Sequence, residues 1–303
     1  MLMNTNAKQG VLLAIAAYLM WGIIPAYFKL LNSMVPTEIL MHRIIWSSLL
    51  LMIIISVKKN WSQISSILKK PKTLLILIAS ASILAFNWWL FIWAINNNHL
   101  LDASLGYYIN PLLNVALGMF FLGERLSKLQ YAAVGLAFVG VTIQVVTFGS
   151  FPVVAFALAI SFSVYGLIRK TVSVDSVSGL LMESLLLTIP AVLYWWFMVP
   201  TDASNMANNT IGFNLLIMAA GLITTAPLLC FVAAARRLNY STMGFFQYIG
   251  PSIMFMFAVF IYGEKVGEDR WVTFGFIWTA LIIYSVASIL KMKKDRKSNK
   301  AIS

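Results

Sequence analysis

Two prolines stand in apolar runs at matched places: Pro111 in Tyr107-Tyr108-Ile109-Asn110-Pro111, and Pro251 in Gln247-Tyr248-Ile249-Gly250-Pro251. A proline inside a helix has no N–H to donate and frees the carbonyl four residues earlier. The carbonyls concerned belong to Tyr107 and Gln247, so Pro111 and Pro251 are expected to break their helices. Freed carbonyls beside the phenols of Tyr107, Tyr108 and Tyr248 and the amides of Asn110 and Gln247 would bind a solute rather than transform it. A proline that merely kinks a helix for packing is the bland reading. The pairing argues against it, because matched Gly/Pro interruptions in two halves point to a transporter site. Pro25, Pro190 and Pro227 lack such clear twins and read as kinks.

Ionisable residues within apolar runs form a second set. Arg43 and Glu183 each lie about six residues, ~9 Å, inside a helix, where a charge marks a pathway or a buried pair. They enter from opposite faces, so no contact between them is assumed. Glu38 sits at the rim of its run and Lys29 near the outer end of another, where snorkelling explains a charge equally well. His42 could relay a proton, which makes a proton the coupling ion to consider, but a lone histidine is more often packed. His99 and Asp102 fall in a short outer loop and read as solvated. Glu124 and Glu264 follow a glycine at the end of a run, where capping or loop pairing suits them. Asn87, Trp88 and Trp93, with Asn114 further on, add aromatic walls and amides of the kind that suits an amphipathic or aromatic solute.

This inventory excludes several chemistries. The only histidines are His42 and His99, so a metalloprotease pair at helical spacing is missing. No aspartate falls in an apolar run, and only His42 could serve a membrane-embedded serine nucleophile. No Gly-rich lysine loop for a nucleotide phosphate occurs. The single cysteine, Cys230, rules out an internal disulfide framework and offers no metal cluster. No enzyme activity, metal or cofactor is expected. A channel would want a ring-forming filter, which the sequence does not show.

The elements that must hold these residues follow from composition. The 303 residues are 60% hydrophobic and 11% charged, with a mean hydropathy of +0.85, against roughly a quarter charged in soluble domains. Apolar runs at 10–31, 37–57, 73–95, 103–122, 128–147, 152–168, 177–199, 212–234, 242–262 and 271–290 are each about the 20 residues a bilayer core requires. Only helices satisfy their own backbone there. The net charge of +12 clusters in short loops (Lys58, Lys59, Lys69, Lys70 and Lys72; Arg125 and Lys128; Arg169 and Lys170; Arg236 and Arg237) and in the tail from Lys291 to Lys300. Cationic loops stay cytoplasmic, which puts both termini in the cytoplasm and makes the tail a solvated anchor near headgroups. Nucleic acid is not expected as a partner.

The proline strings belong to a longer repeat with a step of 140 residues. Tyr108, Pro111, Gly123 and Glu124 recur as Tyr248, Pro251, Gly263 and Glu264, and Phe91 recurs as Phe231. The step carries span four onto span nine. Five spans per copy is odd, so the copies enter the bilayer in opposite senses. The fold class expected is all-α integral membrane, ten transmembrane helices as two inverted five-helix repeats, 1–148 and 149–303. Inverted repeats are the architecture of alternating access. A small-molecule solute and the lipid bilayer are the expected partners; no oligomeric state follows.

Three strings carry a resemblance: Asn87-Trp88-Trp89-Leu90-Phe91-Ile92-Trp93-Ala94, Ser104-Leu105-Gly106-Tyr107-Tyr108-Ile109-Asn110-Pro111-Leu112 and Gly123-Glu124-Arg125-Leu126. With Gln247–Pro251 and Phe276-Ile277-Trp278 they resemble the RarD family of permeases, in the EamA branch of the drug/metabolite transporters. The resemblance covers nearly the whole chain. It implies a ten-helix, two-repeat transporter of the bacterial inner membrane, often exporting small metabolites. It transfers no binding residues.

Overall fold

The computed structural model describes residues 5–97, 99–149, 151–198, 201–261 and 267–302. In chain order its helices are α1 (Thr5–Lys29), α2 (Pro36–Val57), α3 (Trp61–Leu68), α4 (Pro71–Asn96), α5 (Leu100–Leu122) and α6 (Lys128–Thr147). They continue with α7 (Val153–Thr171), α8 (Ser176–Phe197), α9 (Ile211–Ala235), α10 (Tyr240–Gln247), α11 (Ile249–Met256) and α12 (Glu268–Ile302). Among the described residues, nine helices are long and apolar enough to cross a membrane: all but α3, α10 and α11.

Local chemistry sets the helix ends. Proline opens α2 and α4, where its missing N–H is not needed. A capping box between Ser127 and Gln130 starts α6. The Asp175 carboxylate accepts from the Val177 and Ser178 N–H groups at 3.0 and 3.1 Å to start α8. Glu124 does cap a helix, though not its own. Its carboxylate takes the N–H groups of Tyr240 and Ser241 at 2.5 and 2.9 Å and so fixes the start of α10.

The run expected as one span at 242–262 is instead two short helices meeting at Tyr248, followed by a π-helical turn over Phe257–Ile261. Pro251 then falls in the first turn of α11, where a proline costs least. Pro111 does not break its helix; α5 runs through it. Three more expectations shift. The cationic loop 58–72 contains α3, whose Ile64 and Ile67 face inward while Trp61 and Leu68 remain exposed. The first helix begins five residues earlier than its apolar run, and α12 continues through the basic tail to Ile302. Gly263, Glu264 and Lys265 lie outside the described residues.

Side-chain bonds fix the sense of packing. Thr37 meets Tyr194 at 3.2 Å and Ser48 meets Thr188 at 2.7 Å, so α2 and α8 run antiparallel. Gln130 reaches Ser288 and Gln144 reaches Thr273, so α6 and α12 do the same. Helix α5 packs on α10 and α7, α1 on α9, α4 on α7, and α2 on α9. Gly244 permits the α5–α10 approach, since a Cβ there would collide with the Pro111 carbonyl.

Candidate functional site

A narrow cavity, with room for about one water molecule, lies where α2, α4, α8 and α9 converge. Ile44 and Ser47 line it from α2, Trp88 from α4, Leu180, Ser184 and Leu187 from α8, and Thr224, Thr225 and Leu228 from α9. Six of these nine form three pairs separated by the repeat step of 140: Ile44 with Ser184, Ser47 with Leu187, and Trp88 with Leu228. The Thr225 hydroxyl is buried there with no hydrogen-bond partner among the described residues. A buried hydroxyl without a partner costs free energy, about 1–3 kcal/mol, unless a water or ligand satisfies it.

Arg43 borders the cavity. Its Nε donates to Thr224 Oγ1 at 2.8 Å. Its guanidinium lies over the Phe28 ring at 5.3 Å and the Trp88 ring at 5.2 Å. Tyr27 and Tyr107 stand within electrostatic range. No carboxylate pairs with it among the described residues, and no hydrogen bond from either Nη is made there. Seven residues into α2, the cation sits ~10 Å along that helix, in a setting where an unpaired charge is expensive.

Glu183 has the opposite fate. Fully buried, it takes a bond from Ser80 Oγ at 2.6 Å and one from the Tyr165 hydroxyl at 3.4 Å, and pairs with Arg169 Nε at 3.5 Å. Arg169 is fully buried too, packed where Gly179 leaves room for its guanidinium. It is therefore not a loop charge as its sequence context suggests. Nearby, half-buried Lys170 and exposed Arg236 bond to backbone carbonyls. Lys170 Nζ donates to the Ala235 carbonyl at 2.7 Å and to that of Leu238, and Arg236 donates to Val174, as cations do at helix C-termini. The register of α2 against α8 puts Arg43 and Glu183 roughly 10 Å apart along the bundle.

The other residues singled out from sequence fall into separate groups. Asn110 donates to the Ala159 carbonyl at 2.7 Å and to Ser163 Oγ at 3.0 Å. Asn114 donates to Asn110 Oδ1 at 3.3 Å and to Gln247 Oε1 at 2.8 Å. All three amides are buried, and they tie α5 to α7 and α10. Tyr248 donates to the Tyr108 carbonyl at 3.3 Å. Asn87 binds the Leu158 carbonyl and Ser161 on α7, and Trp93 stacks on His99. Tyr107, 39% exposed, is the one member of the α5–α10 string that faces Arg43. Of the chosen set, only Trp88 lines the cavity. Glu38 does not snorkel; it is buried and accepts from the Thr201 N–H at 2.5 Å and hydroxyl at 2.7 Å. His42 packs its ring edge against Trp195 at 4.6 Å. The side chains of Lys29 and Asp102 lie outside the described residues.

The model of the EamA-like transporter family matches residues 8–146. "Protein RarD" of Escherichia coli K12 is 50% identical over 292 residues, covering 96% of this chain and 99% of that protein. The chain belongs to the RarD family of EamA-like transporters. Another "Protein RarD", from Salmonella typhi, is 52% identical over 95% of this chain and 98% of its own length, and an "Uncharacterized transporter" of Vibrio cholerae is 54% identical over 93% of each. A solved crystal structure shares the fold, with a TM-score of 0.70 at 17% identity over 91% of this chain and 97% of that one. RarD-family membership and the apolar helices make this a multi-pass transporter of the bacterial inner membrane.

Sequence reasoning missed Ser47, Ser184, Thr224, Thr225 and Arg169. Serine and threonine are common in membrane helices as packing residues, so their types carry no signal. The repeat step did carry one: Arg43 and Glu183 are themselves 140 apart.

Proposed function

We propose that the chain is a secondary transporter that moves a small metabolite or drug-like solute, outward from the cell, by alternating access between two inverted five-helix copies, 1–148 and 149–303. In this reading α10, α11 and the π turn together make the ninth crossing, giving ten, with both termini cytoplasmic. The cavity lined by three twin pairs carries the proposal. Residues related by a two-fold axis touch each other only along that axis. Ser48 meets its twin Thr188, and Tyr248 meets its twin Tyr108. The antiparallel sense of α2 and α8 supports inversion of the copies. A site on such an axis can face either side as the copies exchange conformations. The Asn110–Asn114–Gln247 amides then act as the joint between copies, with Tyr107 and Arg43 at the solute's entrance and Glu183 as a fixed point on the far side. Energy comes from a gradient or a partner, since this sequence carries no nucleotide-binding loop.

Topology is testable in a Cys230→Ser background. Asn97→Cys and Asn205→Cys should react with an impermeant thiol reagent added outside intact cells, and Ser66→Cys should react only after the cytoplasmic face is opened. Labelling of all three from one side would end the inverted-copy reading. Transport itself is tested by comparing metabolites released by cells with and without the protein; identical profiles would count against it.

A further inference from the structure

Helix α3 is a short amphipathic segment set between two groups of lysines. Its Ile64 and Ile67 are buried in the same apolar cluster as Val172, Val174 and Leu180. Gln63 accepts from the Ser178 hydroxyl at 3.0 Å, so α3 is held against the start of α8. At 3.6 residues per turn, Trp61 and Leu68 share a flank roughly a quarter-turn from that inner face, and Ser66 falls on the side away from them. Trp61 and Leu68 are 45% and 55% exposed, so the protein leaves this apolar flank uncovered. The Trp61 indole N–H donates to Ser56 Oγ at 3.1 Å, which ties the ring to the end of α2. Lys58 and Lys59 precede the helix, and Lys69, Lys70 and Lys72 follow it; all five are exposed. None of them makes an ion pair or a side-chain hydrogen bond among the described residues. No acidic residue lies between Glu38 and Asp102 in the sequence, so the segment carries no negative charge of its own. An apolar flank between two cationic ends matches the acyl boundary and phosphate layer of a bilayer, and anionic lipid supplies the missing negative charge.

We infer that α3 lies flat in the headgroup layer and binds anionic phospholipid, with Trp61 and Leu68 in the acyl boundary and lipid phosphates on the lysines at its two ends. The serine side of the helix then faces water. The ends of the ~12 Å helix receive separate headgroups. Zwitterionic lipid satisfies the apolar flank equally well but leaves the lysines without a net counter-charge, so the selectivity comes from charge. The leaflet concerned is the cytoplasmic one if the topology proposed above holds; the binding itself does not depend on that reading.

The test has two arms, both on the full-length chain. In the first, the six cations from Lys291 to Lys300 are changed to Gln so that the tail does not compete. Protein in neutral detergent is titrated with phosphatidylglycerol or phosphatidylcholine, and bound lipid is counted by native mass spectrometry. Phosphatidylglycerol should be retained at the lower concentration. Gln at Lys58, Lys59, Lys69, Lys70 and Lys72 should weaken its retention at least tenfold and leave phosphatidylcholine unchanged. Equal retention of the two lipids, or phosphatidylglycerol binding that survives the five substitutions, would overturn the inference. The second arm keeps all the lysines, so it decides if the five-fold variant does not fold. In a Cys230→Ser background, Leu68→Cys and Ser66→Cys each carry a nitroxide in vesicles containing phosphatidylglycerol, with a water-soluble paramagnetic chelate on both sides. The label at Leu68 should be shielded from the chelate and open to oxygen dissolved in the bilayer, and the label at Ser66 should show the reverse. A label at Leu68 as open to the chelate as that at Ser66 would be contrary, since the flank would then face water or await a protein partner. Reaction of Ser66→Cys from outside intact cells would remove the topology and leave the lipid site; an unselective lipid count with Ser66 cytoplasmic would do the opposite.

Discussion

Arg43 and Glu183 occupy the same register of the two sequence copies, on α2 and α8, yet the protein treats them in opposite ways. Glu183 is enclosed, paired with Arg169 and bonded by Ser80 and Tyr165. Arg43 is half-buried, held by Thr224 and two aromatic rings, and keeps its outer edge unbonded among the described residues. A buried charge persists when it is neutralised locally or when something that comes and goes neutralises it. The difference teaches that the same register of a sequence repeat need not yield two equal sites. Glu183 spends its charge on structure, and in the proposed reading Arg43 keeps its own for the solute.

Breaking the structural half should have the largest effect. Arg169→Leu leaves Glu183 buried without its cation and should cost about 3–5 kcal/mol of stability, read as a fall in the unfolding midpoint in detergent. Arg169→Leu with Glu183→Leu should recover most of that loss. Gly179→Ala drives a methyl group into the Arg169 guanidinium and should cost about 1–3 kcal/mol. At the other copy, Arg43→Gln should cost only about 1 kcal/mol, the value of one hydrogen bond and its ring contacts. A large loss of stability there would mean that Arg43 is as structural as its twin. The smallest effect belongs to the axis: Ser48→Ala or Thr188→Ala should cost roughly 0.6 kcal/mol, the usual worth of a hydrogen bond between membrane helices.

The membrane class and most helix limits were legible because apolar length and proline or acidic caps are local signals. So was the step of 140. The ninth segment was not read correctly, because an apolar run does not show where backbone bonding switches. Tyr248, not Pro251, marks the break. Pro111 sits in a continuous helix, so a proline alone does not decide a break. The α5–α10 string drew attention through rare residue types, and those residues proved to be packed amides and phenols joining helices. The cavity lies one layer away, among serines and threonines that carry no signal of their own. Arg169 was hidden for another reason. A basic residue at the end of an apolar run has the same sequence context whether it faces water or turns back to a buried carboxylate.

The central claim is that the cavity on the axis opens to each side in turn, and Ser47 is the position from which to test it. In a Cys230→Ser background, Ser47→Cys is treated with an impermeant thiol reagent in right-side-out and inside-out membrane vesicles. Labelling from both sides is the result expected. Labelling from one side alone, or from neither, would contradict the account.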